Sequence, residues 1–308
     1  MLPIAILSGI LLYFIYSALP LQPSARMLAH QAISIIQPVL IFIMLFLTFC
    51  KVHIEDLRPC RWQVWLLLIQ GVGFVLPALL LYLFPRIPAH VLVEGAMLCI
   101  ICPTATAAAV VTQKLGGSAA RITLYTIESN LLTAILVPLM VPLVHPNPDL
   151  GFGQSFLLIL GRVFPLLLGP FVGALVLRYA WRKLHDFLGD HYGISFYIWA
   201  VSLMLAICVT TKSVVHSPVP LAYQIGLAAV SLIACLLQFY IGKRLGRKQD
   251  DAISAGQALG QKNTVVGIWM GYTFFTPVVA VATGFYSVWH NLVNSWQLYQ
   301  KRKESPRT

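Results

Sequence analysis

Residues 256–264 read GQALGQKNT and place Lys262 in a segment that is otherwise apolar enough to lie at mid-membrane depth. An ammonium group at the centre of a bilayer costs about 2.5 to 3.5 kcal/mol on insertion scales. A chain therefore keeps such a lysine mainly where it faces a cavity or a partner. The alternative is a side chain that snorkels to the headgroups, and the apolar run from Val265 to Phe275 argues against it. Lys262 is thus a candidate functional residue.

A second interrupted segment occupies the comparable position in the N-terminal half, where residues 102–109 read CPTATAAA. Proline removes a helical donor and glycine permits an unwound backbone, so both segments are candidate breaks in a helix. Two ordinary kinks are the alternative explanation. A matching pair of interrupted segments in two halves is typical of a secondary transporter built from inverted repeats, with its substrate site at the midplane.

Composition indicates a membrane protein. The chain has 308 residues, of which 58% are hydrophobic and only 10% charged, whereas a soluble domain has about 25% charged residues. A span needs about 20 apolar residues. Ten candidate spans follow, at about 3–19, 33–50, 63–84, 91–115, 122–144, 155–180, 195–215, 221–242, 252–275 and 277–298.

The sequence therefore predicts an all-α integral membrane protein that forms a single domain over residues 1–308. Its ten transmembrane helices form two five-span inverted repeats, at about 1–150 and 151–300. The fourth and ninth spans are the discontinuous helices.

The distribution of basic residues predicts orientation. The net charge is +11, yet 16 of the basic residues lie on one side of the predicted membrane and only Arg26, Arg86 and Lys212 on the other. The positive-inside rule accounts for this asymmetry without nucleic acid. We expect a multi-pass protein of the plasma (inner) membrane with both termini cytoplasmic. The lipid bilayer is the expected partner, and no nucleic acid or soluble protein partner is implied.

Three motifs together resemble those of one transporter family. Residues 102–107 resemble the CPGGTAS crossing of the bile acid:sodium symporter family, residues 260–263 resemble its GMQN crossing, and residues 285–292 resemble its FSxWHN motif. The resemblance implies that the discontinuous helices of spans 4 and 9 cross, and that two sets of helices transport organic anions by alternating access. The panel helices would span about 3–50 and 155–215, and the core helices about 63–144 and 221–298.

The resemblance also implies site residues. Substrate would contact Thr106, Asn263, His290 and Asn291, whose side chains offer hydrogen bonds to a carboxylate. Thr126 matches a sodium-ligand position of the family, and Asn130 lies one turn later on the same helix face.

The chain departs from the family pattern where sodium binds. Ala108 and Ala109 replace a Ser-Asn pair, Ala258 replaces a glutamate, and Lys262, beside Gln261, replaces a glutamine. Hard cations need oxygen ligands, so the sodium sites are predicted to be degraded and no cofactor is expected.

These departures suggest that Lys262 supplies the positive charge that bound sodium supplies in the resembling proteins. A fixed charge predicts sodium-independent transport. If burial makes the lysine release its proton when the cleft changes, transport would instead be proton-linked. Glu128 is the first candidate partner for Lys262, since either charge alone is costly in a membrane. Glu94 is expected at the membrane interface.

Two other function classes stay open at this point. An intramembrane enzyme would use His290, Glu128 or Lys262, although no HExxH or GxSxG motif accompanies them. A channel usually needs repeated rings of carbonyls or charges, and one lysine provides none. For a transporter, the expected substrate is a monoanionic organic acid, either bile-acid-like or a small carboxylate.

Overall fold

The computed structural model describes residues 2–20, 22–51, 57–191, 194–216 and 219–304. Within these ranges the regular structure is helical, apart from one isolated β-bridge. The helices are α1 (Leu2–Ala18), α2 (Pro23–Cys50), α3 (Arg61–Leu83), α4 (His90–Ile101), α5 (Ala108–Leu115), α6 (Ala119–Val144), α7 (Phe152–Ala180), α8 (Arg182–Asp190), α9 (Ile194–Val215), α10 (Leu221–Arg247), α11 (Ala252–Gly260), α12 (Thr264–Phe274) and α13 (Ala280–Glu304).

Six of these helices are long and apolar enough to cross a membrane, namely α2, α3, α6, α7, α9 and α10. Large apolar side chains lie on the outside of the bundle, such as Leu76 (61% exposed), Leu157 (64%) and Val176 (59%). A soluble protein rarely exposes so much apolar surface, because that surface would promote association in water. The prediction of an all-helical integral membrane protein is confirmed.

Both predicted interruptions are present. The backbone leaves the helical conformation between α4 and α5, at residues 102–107, and again between α11 and α12, at residues 261–263. Pro103 has no backbone N–H, and the glycine before the second break, Gly260, packs against the ring of Phe239 so closely that a Cβ would clash. The predicted fourth and ninth spans are therefore each a pair of short helices joined by a non-helical segment.

The helices pack in two groups. In one group, α2 packs against α7 and α9, and α1 packs against α9. In the other, α10 packs against α4, α11 and α13, and α3 packs against α4 and α6. Helices α6 and α7 pack side by side and join the groups. Helix α10 approaches α11 closely because Gly242 and Gly246 carry no side chain where the backbone of Ala255 and Asp251 lies.

Asp251 anchors the start of α11 to the rest of the bundle. Its side chain is 7% exposed, and Oδ2 accepts hydrogen bonds from Arg121 Nη1 at 2.7 Å and from Trp62 Nε1 at 3.2 Å. Trp62 belongs to α3 and Arg121 to α6. One carboxylate therefore holds the first half of the ninth segment against two helices from the other half of the chain.

Some boundaries differ from those expected. Helix α2 begins at Pro23, ahead of the expected 33, since proline suits the first turn of a helix and the first turns of α2 are too polar to count as a span. Helix α8 was not expected; it is short and amphipathic. In the basic C-terminal segment, α13 carries Lys301, Arg302 and Lys303 in its last turn, whereas Arg307 lies outside the described residues.

Candidate functional site

The two helix breaks meet and bond to each other. Thr104 and Lys262 form an antiparallel β-bridge. Hydrogen bonds flank the bridge, from Ala105 N to Gln261 O at 2.9 Å and from Asn263 N to Pro103 O at 2.8 Å. Backbone groups released by a break must be satisfied inside the protein when a membrane surrounds it. At this crossing, each break satisfies the other.

Side chains complete the bonding of the crossing. Thr104 Oγ1 donates to Ala258 O at 2.6 Å, and Ser129 Oγ accepts from Thr104 N at 3.1 Å. The thiol of Cys102 donates to Asn263 O at 2.8 Å. Thr104 is fully buried, so these bonds are shielded from water and rigidify the crossing.

The break also frees three carbonyls at the C-terminal end of α4, and each finds a donor. Gln70 Nε2 bonds Ile101 O at 3.0 Å and Cys102 O at 3.3 Å, and Thr133 Oγ1 bonds Ile101 O at 2.8 Å. The third carbonyl, Ile100 O, accepts from the ammonium of Lys262 at 3.1 Å. Gln70 and Thr133 were not found from the sequence. A polar amide within an otherwise apolar span is the sequence signal that would have indicated Gln70, which is fully buried in α3.

Lys262 is therefore held by a helix end. The residue is 1% exposed, and its charge lies at the C-terminus of α4, where the helix dipole places partial negative charge. A carbonyl oxygen at a helix C-terminus is also the kind of group that would coordinate a small cation. The ammonium of Lys262 occupies this position beside Ile100 O, and unlike a free ion it is covalently part of the protein.

Glu128 does not pair with Lys262 in this conformation. Among the described residues, no ion pair joins the two, and Glu128 Oε2 is buried without a hydrogen-bond partner. Burial raises the pKa of the Cys60 thiol, which precedes α3; Arg121 opposes the shift, while Asp251 and Glu128 add to it.

The residues expected to face substrate differ in their bonding. Asn263 Oδ1 caps α12 by accepting from Val266 N at 3.4 Å, and its Nδ2 has no partner in the described part of the chain. His290 is 4% exposed, with Nδ1 likewise unpartnered within the described ranges and its ring edge-on to Tyr286 at 5.7 Å. The hydroxyl of Tyr286 donates to Gly260 O at 2.8 Å, which links α13 to the crossing. His290 lies one helical turn after Tyr286.

Thr106 and Asn291 lie at the margins of this group. Thr106 is partly exposed beside the N-terminus of α5, which no side chain caps within the described residues. A helix N-terminus attracts anions, so this position suits a carboxylate. Asn291 instead bonds its own helix, from Nδ2 to Ser287 O at 2.7 Å.

The positions that match sodium ligands offer few oxygens. Ala108 and Ala109 have none in their side chains, and the carbonyl of Ala258 already accepts from Thr104. Gln257, one residue earlier, donates from Nε2 to Asn294 Oδ1 at 2.9 Å. The alanines at these positions therefore contribute no side-chain oxygen, whereas Gln257 Oε1 is buried without a partner in the described part of the chain.

The remaining polar residues near these positions are buried. Thr126 Oγ1 donates to Ile122 O of its own helix. Asn130 is fully buried, and both polar atoms of its side chain lack partners among the described residues, as does Gln261 Oε1. Buried polar atoms are usually paired, so these unpaired atoms are candidates for contacts with a ligand.

The crossing is closed in this conformation. Lys262, Asn263, Asn130 and His290 are each at most 4% exposed. A cavity of about 350 Å³ lies elsewhere, between the ends of α1, α2 and α9, with Tyr13, Arg26, Lys212 and His216 among its lining residues. Access to the crossing therefore requires a movement of helices.

Two interrupted helices that bond to each other inside a bundle of membrane-crossing helices define a membrane transporter. The sequence comparisons agree, because the profile of the SBF-like CPA transporter family matches residues 5–292. The chain belongs to this family, and the resemblance seen in the motifs is confirmed. It is also similar to the uncharacterized sodium-dependent transporter YocS of Bacillus subtilis, with 26% identity over 234 residues that cover 71% of this chain and 68% of the relative.

Proposed function

We propose that this transporter carries organic anions without sodium, with the ammonium of Lys262 in the role of a bound cation. The observation that carries the proposal is the contact of Lys262 Nζ with Ile100 O at 3.1 Å, at the freed C-terminus of α4. A second positive ion beside this ammonium would be repelled, and the neighbouring alanines offer it no side-chain oxygens.

The substrate class follows from the unpaired donors around this charge. Asn263 Nδ2 and Asn130 Nδ2 lack partners in the described ranges, and the uncapped start of α5 lies beside Thr106. A carboxylate satisfies such donors and is attracted by the nearby ammonium. We therefore infer a monoanionic organic acid, either bile-acid-like or a small carboxylate, that contacts Thr106, Asn263 and His290.

The proposed architecture has ten spans in two inverted repeats. Each interrupted pair, α4 with α5 and α11 with α12, counts as one membrane span. The panel comprises about residues 3–50 and 155–215, and the core about 63–144 and 221–298. The packing of α1, α2, α7 and α9 as one group supports this division. Movement between the two groups would open the crossing alternately to each side.

Orientation and location are part of the proposal. The basic residues concentrate on one side of the ten spans, which supports a plasma membrane protein with both termini in the cytoplasm.

The intramembrane enzyme is less well supported. It requires His290, Glu128 and Lys262 to act on one another or on one bound group. Within the described residues, no hydrogen bond or ion pair joins any two of the three, and Lys262 bonds a backbone carbonyl. A catalytic base must lie within hydrogen-bond reach of the group it serves.

Uptake by the purified protein in proteoliposomes tests the proposal. Labelled organic acids, from small carboxylates to bile acids, are compared with sodium present and with sodium replaced by choline. We expect saturable uptake and counterflow that are equal in both media. Strict sodium dependence, of the kind named for YocS, would refute the role of Lys262. Chemical conversion of the substrate would instead identify an enzyme, and unsaturable flux a channel.

A further inference from the structure

Glu94 is a buried carboxylate that the crossing does not use. The sequence places it at the membrane interface, yet in the structure the residue is fully buried within α4. Helices α10 and α13 cover this part of α4, where Leu227 and Ala282 approach the backbone of Gly95. These long-range contacts bury Glu94 inside the protein even though it lies near the start of α4.

Two histidines contact this carboxylate. Glu94 Oε1 lies 2.6 Å from His145 Nε2 and 3.3 Å from His90 Nδ1. His90 begins α4, and His145 caps the C-terminus of α6. The ring of His145 also packs edge-on against Phe275, the residue that ends α12, with 5.6 Å between ring centroids. The cluster thus joins the outer end of the fourth segment, the fifth span and the ninth segment.

The shortest contact requires a proton. Two unprotonated acceptors 2.6 Å apart would repel each other, whereas a proton between them makes a charge-assisted pair. The distance is that of such a bond, but the angle is not. Glu94 and His145 Nε2 therefore make no regular hydrogen bond within the described residues. A buried carboxylate without a proton or a cationic partner is strongly unfavourable. The arrangement of these three side chains thus suits a shared proton.

The histidines form the exposed side of the cluster. The side chains of His90 and His145 are 27% and 29% exposed, whereas that of Glu94 is 1% exposed. Other titratable groups on the surrounding elements are engaged elsewhere or exposed: Tyr223 of α10 bonds Pro88 O, Tyr272 of α12 bonds Ser213, and Arg86 is exposed. No other ion pair reaches Glu94 among the described residues. The imidazoles are thus the route by which protons enter.

We propose that Glu94, His90 and His145 form a proton-binding site whose occupancy controls transport from the face opposite the basic loops. A proton leaves a hydronium ion in the water on that face, bonds to an imidazole nitrogen of His90 or His145, and passes to Oε1 of Glu94. Only N–H and O–H bonds form and break. The coupling to transport rests on the proposed function; the proton site does not.

The connection to the crossing is α4 itself. Glu94 and Ile100 lie six residues apart on this helix, a rise of about 9 Å. A change of charge at Glu94 alters the contact with His145 and, through Phe275, the end of α12. The same half-helix carries the carbonyl that holds Lys262. Proton binding therefore acts on both interrupted segments.

Two measurements on the full-length protein test the inference. The first needs no transport: infrared difference spectra after a pH jump, with the protein in lipid vesicles, should show a protonated carboxyl band that Glu94→Gln removes. The second is uptake with pH varied on one side of the membrane at a time. Wild-type uptake should change at least about fivefold with pH on one side only, within the usual range of coupling between sites.

Variants decide between outcomes. Glu94→Gln should abolish the pH response and His145→Gln should shift it, while His216→Gln, an exposed histidine outside the cluster, should leave it unchanged. A band that persists in Glu94→Gln overturns the proton site. Normal uptake with an unchanged pH response in Glu94→Gln overturns the control of transport and leaves the proposed function intact. A band lost in Glu94→Gln, in a protein that carries no organic anion, supports the proton site and overturns the proposed function.

Discussion

Replacing Lys262 by methionine separates its role in transport from its role in folding. The substitution removes the charge-assisted hydrogen bond to Ile100 O, worth about 1.5 to 3 kcal/mol. It also removes the cost of a buried ammonium, about 2.5 to 3.5 kcal/mol. These effects oppose each other. We therefore expect the free energy of unfolding to range from nearly unchanged to about 2 kcal/mol higher.

Transport should respond quite differently. At an effective dielectric constant of 20, two unit charges attract by about 4 kcal/mol at a separation of about 4 Å and by about 2 kcal/mol at twice that separation. We take the larger separation for an anion held by Asn263, the residue that follows Lys262. Loss of the attraction at that separation corresponds to about a thirtyfold weaker affinity. Lys262→Met should therefore raise the half-saturation concentration for uptake by about this factor while the protein melts no earlier than the wild type.

Matched variants identify which property of the lysine matters. Lys262→Gln retains a donor for Ile100 O without the charge, so it should be as impaired as Lys262→Met. Lys114→Met removes an exposed lysine at the end of α5 and should change neither uptake nor stability. The reasoning is refuted if Lys262→Met takes up anions with wild-type affinity, or if Lys262→Gln restores it, since the charge would then be dispensable.

Two further substitutions test what holds the crossing in place. Thr104→Val keeps the shape of the side chain but leaves Ala258 O without its donor, so unfolding in detergent should become easier by about 1 to 3 kcal/mol, and an unchanged melting temperature would contradict the assigned bond. Asp251→Asn weakens the link to Arg121, which is 42% exposed, so the loss should be only about 1 kcal/mol and should shrink in high salt.

The helix breaks and the unusual lysine could be predicted from the sequence because their causes are local. Pro103 lacks a backbone donor whatever surrounds it, and Lys262 stands out against an apolar background at any depth. The bond between the breaks was expected only from the resemblance, since no local pattern requires Thr104 to lie beside Lys262.

Long-range contacts explain what the sequence did not reveal. Gln70 bonds the end of α4 from another helix, and Glu94 meets His145 only because the start of α4 lies beside the end of α6. The cost of a buried charge requires a partner for Lys262 but does not say which. The pairing with Glu128 was inferred from charge alone, whereas a helix end supplied a carbonyl with no charged residue involved.

Helix α4 relates the two charged sites to each other. It is 12 residues long, too short to cross a membrane, and it ends where the backbone must unwind. Its C-terminal carbonyl accepts a hydrogen bond from Lys262, which belongs to the other half of the chain, and its buried Glu94 contacts His145, with which we propose that it shares a proton. A rigid half-helix that is stabilised by one fixed charge and one exchangeable charge can respond to pH at one end without losing its cation at the other. We therefore expect substitutions at Glu94 to change when the transporter moves, and substitutions at Lys262 to change what it binds.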